Sequence, residues 1–202
     1  MARGIFLAFE GIDASGKSTQ ARRVAAQRDA VFTFEPGDTV LGAELRRWLL
    51  DAATAMNPPT QALLMLADRA HHVNTLIEPT LAAGRHVVSD RFSASTLAYQ
   101  GYGHGLDLDT LATLNDLASV GCAPDLTILL DVPVHVAAAR RAARTSDRYE
   151  SAAGAFHERV RHGYLEVARH ASDPWLVVDG TRSESDVAAI IDERLDDLAW
   201  SA

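Results

Sequence analysis

The chain has 202 residues, 48% of them hydrophobic and 23% charged, which suits one compact domain with its own core and argues against a second domain. Its formal net charge of -8 excludes nonspecific binding to nucleic acid or to an anionic membrane, since both need a basic surface, so an anionic ligand must meet a local basic cluster. Cys122 is the single cysteine, which rules out an intrachain disulfide and reads as a core thiol; no apolar run reaches membrane length and the first strand leaves no space for a signal peptide, so the cytoplasm is the expected compartment.

The apolar run Ile5–Phe9 predicts a buried strand, and Gly11-Ile12-Asp13-Ala14-Ser15-Gly16-Lys17-Ser18 after it matches GxxxxGK(S/T), a phosphate-binding loop. Glycines let backbone N–H groups turn inward around phosphate oxygens, the lysine reaches the outer phosphates, and the serine hydroxyl can ligate magnesium. Thr19 to Ala26 holds strong helix formers, so the strand, loop and helix that the motif requires are all present and an ordinary glycine turn is the lesser reading. Ala30–Phe34 predicts a second strand, closed by the turn cluster Glu35-Pro36-Gly37-Asp38. Leu41, Leu45, Trp48 and Leu49 recur at helical spacing and place Arg46 and Arg47 beside an apolar stripe. Asn57-Pro58-Pro59-Thr60 starts a long helix through Met65 and Arg69 to Ile77.

Past Gly84, the strand His86–Asp90 delivers an acid at its carboxyl end, the edge at which open α/β sheets bind ligands. Ser93 to Gln100 reads as helical, Gly101 to Gly105 as a loop, and Asp109 to Val120 as a helix. A fourth strand, Leu126–Asp131, precedes a helix from Pro133 to Ala142 that runs into an arginine-rich stretch ending at Tyr149. Phe156 to Arg169 is a helix, Trp175–Asp179 a fifth strand, and Ser183 to Leu198 a terminal helix. Apolar strands alternating with helices predict a mostly parallel sheet covered on both faces, an α/β fold.

Asp90 could hold magnesium directly or through water, and Arg91 beside it offers a planar fork for phosphate. Arg140 and Arg141 read equally well as a solvated helix face. Arg144 and Arg148 lie beyond the helix and have the composition of a lid that closes cations over a transferring phosphoryl group. Asp13 supports that lid, because a carboxylate inside a phosphate cradle is repulsive without a cation to pair with it, and the lid is the expected source. His157-Glu158 with His162 misses the zinc-protease spacing by one residue. His71 and His72 are adjacent, cannot share a helical face and read as surface or partly buried, and no metal site made of protein ligands alone is expected.

Three classes of phosphate-loop protein compete: a small-molecule kinase, a GTPase switch, and an ATP-binding module whose output is interaction. No NKxD motif for guanine is present, and arginines at 46, 69, 91, 144 and 148 suit transfer between two phosphorylated molecules. A phosphorylated acceptor is already an anionic oxygen nucleophile, so no dedicated general base is required.

The chain resembles the thymidylate kinase family over nearly its whole length. The resemblance rests on Phe9-Glu10-Gly11, Lys17-Ser18-Thr19, Glu35-Pro36-Gly37, Leu45-Arg46, Ala67-Asp68-Arg69, Asp90-Arg91-Phe92, Ser95 through Tyr99-Gln100-Gly101, Pro124-Asp125-Leu126 and Asp147-Arg148. It implies a P-loop kinase fold with a five-stranded parallel sheet, a homodimer, and phosphorylation of dTMP to dTDP by magnesium ATP. It further implies that Gly11 to Ser18 hold ATP and that Arg46 and Arg91 bind the dTMP phosphate. Arg69 with Gln100 would meet the thymine edge, with Glu35, Pro36, Met65, Ser95 and Tyr99 in the same pocket. Asp90 would serve acceptor and magnesium, the latter together with Ser18. Lys17, Asp13, Arg91 and the lid arginines Arg144 and Arg148, in a lid at about 143–153, would be catalytic, as in the bacterial type. Two positions depart from the family: Met65 replaces the usual stacking phenylalanine, and Asp38 replaces the second glycine of Glu-Pro-Gly-Gly. A kinase of another nucleoside monophosphate, or a catalytically silent ATP-binding protein of the same fold, remains the alternative.

Overall fold

The structure is a computed structural model that describes residues 2–51, 54–142, 151–198 and 200, with the side chains of 151–153 outside that set. Five strands, β1 (Phe6–Glu10), β2 (Val31–Phe34), β3 (Val87–Asp90), β4 (Leu126–Asp131) and β5 (Trp175–Asp179), form one sheet in the order β2-β3-β1-β4-β5. Every pairing is parallel, so all five carboxyl ends lie on one edge and the predicted fold class holds. β1 is central, and the chain leaves it for β2 and β3 on one side and reaches β4 and β5 on the other. A crevice therefore opens at its end.

Strand periodicity divides the core. Leu7 and Phe9 point to a layer with Val24 of α1 (Lys17–Gln27) and Ile191 and Leu195 of α9 (Glu184–Asp197). Phe6 and Ala8 point the other way, onto Ile77 and Leu81, and Glu10, sharing their parity, is carried into that second layer with no exposure. Cys122 is buried there, as expected. Phe9 has no exposed surface, so Phe9→Ala should cost about 3–5 kcal/mol. A urea titration checks this; a midpoint within error of the parent would remove Phe9 from the core.

The remaining helices are α2 (Val40–Leu50), α3 (Pro58–His72), α4 (Glu78–Ala82), α5 (Ser93–Thr96), α6 (Leu108–Ser119), α7 (Val134–Ala142) and α8 (Ser151–His170). Local chemistry sets their starts: Thr39, Asn57, Asp107 and Ser183 each accept a hydrogen bond from a first-turn N–H. The long predicted helix through Ile77 is interrupted by a π-helical turn, Val73–Ile77, before α4. Pro79 explains it, because proline has no N–H for a regular helical bond and its ring collides with the carbonyl four residues back.

The loop predicted at Gly101–Gly105 is instead π-helical from Leu97 through Gly103. Its glycines are there for close packing: a Cβ on Gly103 would stand 2.8 Å from the Phe156 ring and 2.9 Å from Val160 of α8. No helix among the described residues is long and apolar enough to cross a membrane.

Candidate active site

The loop between β1 and α1 is built on backbone conformations that few residues adopt. Gly11 has φ 141, Ala14 φ 64 and Gly16 φ 98. A Cβ on Gly11 would sit 2.7 Å from the Leu130 carbonyl oxygen, so the first glycine is fixed by contact with β4 as well as by φ. The Ile12 side chain packs into the core with Leu129 and Val132, leaving only its backbone for a ligand. Lys17, 6% exposed, stands 3.8 Å from the Asp13 carboxylate. Burial, followed by the Arg91 charge, pushes its ammonium down to about 8.

One side of this loop, Ala14, Ser15 and Gly16, borders a cleft of about 420 Å³ that also includes Arg140, Gly180 and Arg182. Arg140, which the sequence left undecided, straps that cleft: it donates to the carbonyls of Ala14 (3.5 Å), Ser15 (3.4 Å) and Gly180 (2.8 Å). At the foot of the loop the Ser18 hydroxyl donates to Asp90 Oδ2 in a very short hydrogen bond. Asp90 Oδ1 is buried with no partner among the described residues.

The other side of the loop, through Asp13, borders a second pocket of about 200 Å³. Nine expected acceptor residues, Glu35, Pro36, Arg46, Met65, Arg69, Arg91, Ser95, Tyr99 and Gln100, line it together. Asp90, also expected there, is not among them and stands at Ser18 instead. Arg46 is held by the Pro36 carbonyl at 2.6 Å and lies 5.4 Å from the Phe34 ring centroid. Gln100 is 4% exposed, and its amide has no hydrogen bond among the described residues. Arg69, expected to meet a base, spends its guanidinium on the floor: it donates to Glu35 (2.9 Å), Thr96 (3.0 Å), Asn115 and the Phe92 carbonyl (3.0 Å). Nη2 also stands 2.9 Å from the same Glu35 oxygen, so all three nitrogens are engaged and a base contact from Arg69 would have to share one of them.

Arg91 connects the pocket to the loop. Its backbone takes φ 78, a strained conformation for a long side chain, directly past the end of β3. Nη1 donates to Ser95 (3.0 Å) and Tyr164 (2.8 Å), and Nη2 to Asp13 (2.6 Å) and Tyr99 (3.2 Å). Behind it, Glu10 accepts from the backbone N–H of Phe92 (2.8 Å) and from the Ser95 hydroxyl (2.7 Å). Burial pushes the Glu10 carboxyl up. For Asp13, burial is outweighed by Arg91 and Lys17, which hold its carboxyl low.

Among the described residues the cation that pairs with Asp13 is Arg91, with Lys17 behind it. Arg144 and Arg148 lie outside the described residues, as does most of the lid placed at 143–153; residues 151–153 begin α8. His72, read as surface or partly buried, is 1% exposed and bonded to Glu35 and Thr33. Its neighbour His71 is the half-buried one. Tyr164 was missed altogether: it is a tyrosine on α8, joined to Arg91 only by the fold.

A family model described as Thymidylate kinase matches residues 9–191. The chain is 47% identical over 196 residues to the thymidylate kinase of Cupriavidus metallidurans, covering 95% of this chain and 97% of that one. It is 45% identical over 195 residues to that of Chromobacterium violaceum, covering 94% and 92%. Among solved structures, thymidylate kinase from Ehrlichia chaffeensis matches with a TM-score of 0.78 at 31% identity, covering 96% of this chain and 99% of that one.

Proposed function

The chain belongs to the thymidylate kinase family, and from that premise we propose that it transfers the γ-phosphoryl group of ATP to the phosphate of dTMP, giving dTDP and ADP. A phosphate oxygen of dTMP forms the new bond to γ-phosphorus as the bond from γ-phosphorus to the β,γ-bridging oxygen breaks, in line. One observation carries the reading: a single loop is the wall between two pockets, with Ala14–Gly16 on one side, Asp13 on the other, and Arg91 bonded to Asp13 inside the second. Two phosphate chains entering from opposite sides would meet at Lys17 and Arg91.

In this reading the polyphosphate of ATP lies along the loop's backbone N–H groups with Lys17 on its outer phosphates. Arg46 and Arg91 hold the acceptor phosphate. Gln100, whose amide lines the pocket, can offer both a donor and an acceptor to the imide edge of thymine. Met65 packs beside the ring, where a polarizable thioether can replace an aromatic stack. Ser18 and Asp90 suit magnesium: they bring together a hydroxyl and a carboxylate whose Oδ1 has no partner among the described residues, the hard oxygen donors that ion requires. Bound there, magnesium would neutralise charge on the β- and γ-oxygens. Arg144 and Arg148 would add further cations on closure, and the protein would work as a cytoplasmic homodimer. Support for the dimer comes from the apolar side chains of Trp48 on α2 and Leu63 and Leu117 on α3 and α6, which are 43%, 58% and 73% exposed.

The test is a coupled assay of dTMP, dUMP, dCMP, dGMP, AMP and UMP with magnesium ATP. We expect dTMP to be turned over best. Equal or better turnover of another monophosphate would overturn the acceptor and keep the kinase, and ATP binding without any turnover would favour the silent alternative.

A further inference from the structure

Behind the acceptor pocket lies a buried chain of polar groups that the reaction itself does not use. Thr33, on β2, has no exposed surface, and its hydroxyl oxygen is 2.6 Å from Asp38 Oδ2 and 2.6 Å from His72 Nε2. The other ring nitrogen of His72, Nδ1, is 3.0 Å from Glu35 Oε1. The second oxygen of Glu35 is held by Arg69 at 2.9 Å. Asp38, Thr33, His72, Glu35 and Arg69 thus form one continuous line, from a half-buried carboxylate to the floor of the pocket.

The protons in this line can be placed one at a time. A hydroxyl has one proton to give, whereas a carboxylate can only accept. Thr33 therefore donates to Asp38, and its oxygen is left to accept from His72, so Nε2 carries a proton. At the other end, two lone pairs 3.0 Å apart in a buried site would repel, so a proton must also lie between Nδ1 and Glu35. Glu35 is already the acceptor for Arg69, and burial is outweighed by the Arg69 charge and His72, which hold its carboxyl low. The second proton belongs on His72.

We propose that Asp38, acting through Thr33, holds His72 as a doubly protonated imidazolium against Glu35, and that this relay positions Glu35 and Arg69 as the floor of the acceptor pocket. Replacing Asp38 by glycine would free the Thr33 hydroxyl to donate to Nε2, and His72 could then be neutral with its proton on Nδ1. The groups facing His72 are consistent with a cation there. Glu35 and Asp38 face it from the turn after β2, and Arg69 and Asp68 from α3. On the neighbouring β3 the neutral Ser89 lies opposite Thr33, and Asp90, opposite Phe34, points to the other face of the sheet. Asp68 accepts from the Gly37 N–H at 3.2 Å, and its other oxygen has no partner among the described residues. Burial and then the Glu35 charge push its carboxyl up to about 6. Three carboxylates and one guanidinium leave this cluster with two unmatched negative charges, and the imidazolium reduces that to one.

The positioning part rests on the reading of this pocket as the dTMP site, and the test separates the two. Ring nitrogen NMR of unliganded protein at pH 7, with the His72 signals assigned through His72→Gln, reports the protons without any turnover. We expect both nitrogens protonated in the parent and in Thr33→Ser, and one proton lost in Asp38→Gly and Thr33→Val. A neutral His72 in the parent, or an Asp38→Gly spectrum identical to it, overturns the relay. In the dTMP assay, Thr33→Val should raise KM for dTMP about fivefold with kcat within twofold, and Thr33→Ser should restore it. Equal losses in Thr33→Val and Thr33→Ser overturn the positioning role. A protein inactive on dTMP overturns the acceptor assignment, while the NMR still decides the proton.

Discussion

Lys17→Ala lowers turnover by at least about 10³-fold while the protein stays folded, as expected for a preorganised cation aimed at charge that develops in the transition state. The fold survives because the substitution removes a buried ammonium and not a structural partner: its nearest acid, Asp13, keeps the Arg91 fork at 2.6 Å. Circular dichroism and the urea midpoint check the fold, and steady-state kinetics with saturating dTMP checks the turnover. The pH dependence follows from the same burial. With burial and Arg91 pushing Lys17 down to about 8, the working protonated form is lost as pH rises through that value. In the free enzyme kcat/KM for ATP should therefore fall on an alkaline limb near pH 8, and the residual activity of Lys17→Ala should lack that limb. Bound polyphosphate favours the ammonium, so the limb in kcat should lie at higher pH. A residual rate within tenfold of the parent would remove Lys17 from the chemistry.

The two halves of this site were not equally legible. The donor side is written locally: Gly11 to Ser18 are consecutive, and the strand before them and helix after them have their own periodicity, so loop, sheet class and Lys17 could all be read without the fold. The acceptor pocket lies between elements distant in the chain, and beyond the arginines at 46, 69 and 91 its residues emerged only through family resemblance. What neither route supplied is the set of partners. Arg91 reads as a phosphate-binding arginine beside Asp90, but its bonds to Asp13 and Tyr164 span 78 and 73 residues, and nothing in local composition marks a tyrosine on α8 as one end of such a bond. His71 and His72 point about 100° apart on a helix, which separates their faces without saying which one turns inward; α3 lays His72 on Glu35, 37 residues away in the chain. Asp13 needs a cation, and only the parallel register of β1 and β3, which sets Phe9 opposite Asp90, shows that the residue directly past the end of β3 is near enough to supply it.

Arg91 is the second position where a large loss is expected, and there the loss has two parts that can be separated. Arg91→Ala should reduce kcat/KM for dTMP by about 10³-fold or more, and it should also destabilise the protein, because Glu10, with no exposed surface, and Asp13 lose their shared cation. Removing one member of a buried charge pair costs about 3–5 kcal/mol. The cost should lie at or below the low end, since Asp13 is 52% exposed and Glu10 keeps its Ser95 and Phe92 donors. The sign with pH is fixed by Glu10. Burial already pushes its carboxyl up, so the folded state binds its proton more tightly than the unfolded state does, and its contribution to stability falls as pH rises above the ordinary carboxylate range. Without Arg91 that fall should steepen, and acidification should recover part of the lost stability. Arg91→Lys should restore stability in part and activity hardly at all, because one ammonium cannot reach Ser95, Tyr164, Asp13 and Tyr99 together as the planar fork does. The double variant Asp13→Asn with Arg91→Ala isolates the pair: its urea midpoint should exceed that of Arg91→Ala alone, while its turnover stays as low. If Asp13→Asn instead returned activity to Arg91→Ala, neutralising Asp13 would be the whole task of the arginine, and the acceptor phosphate would have to be held by Arg46.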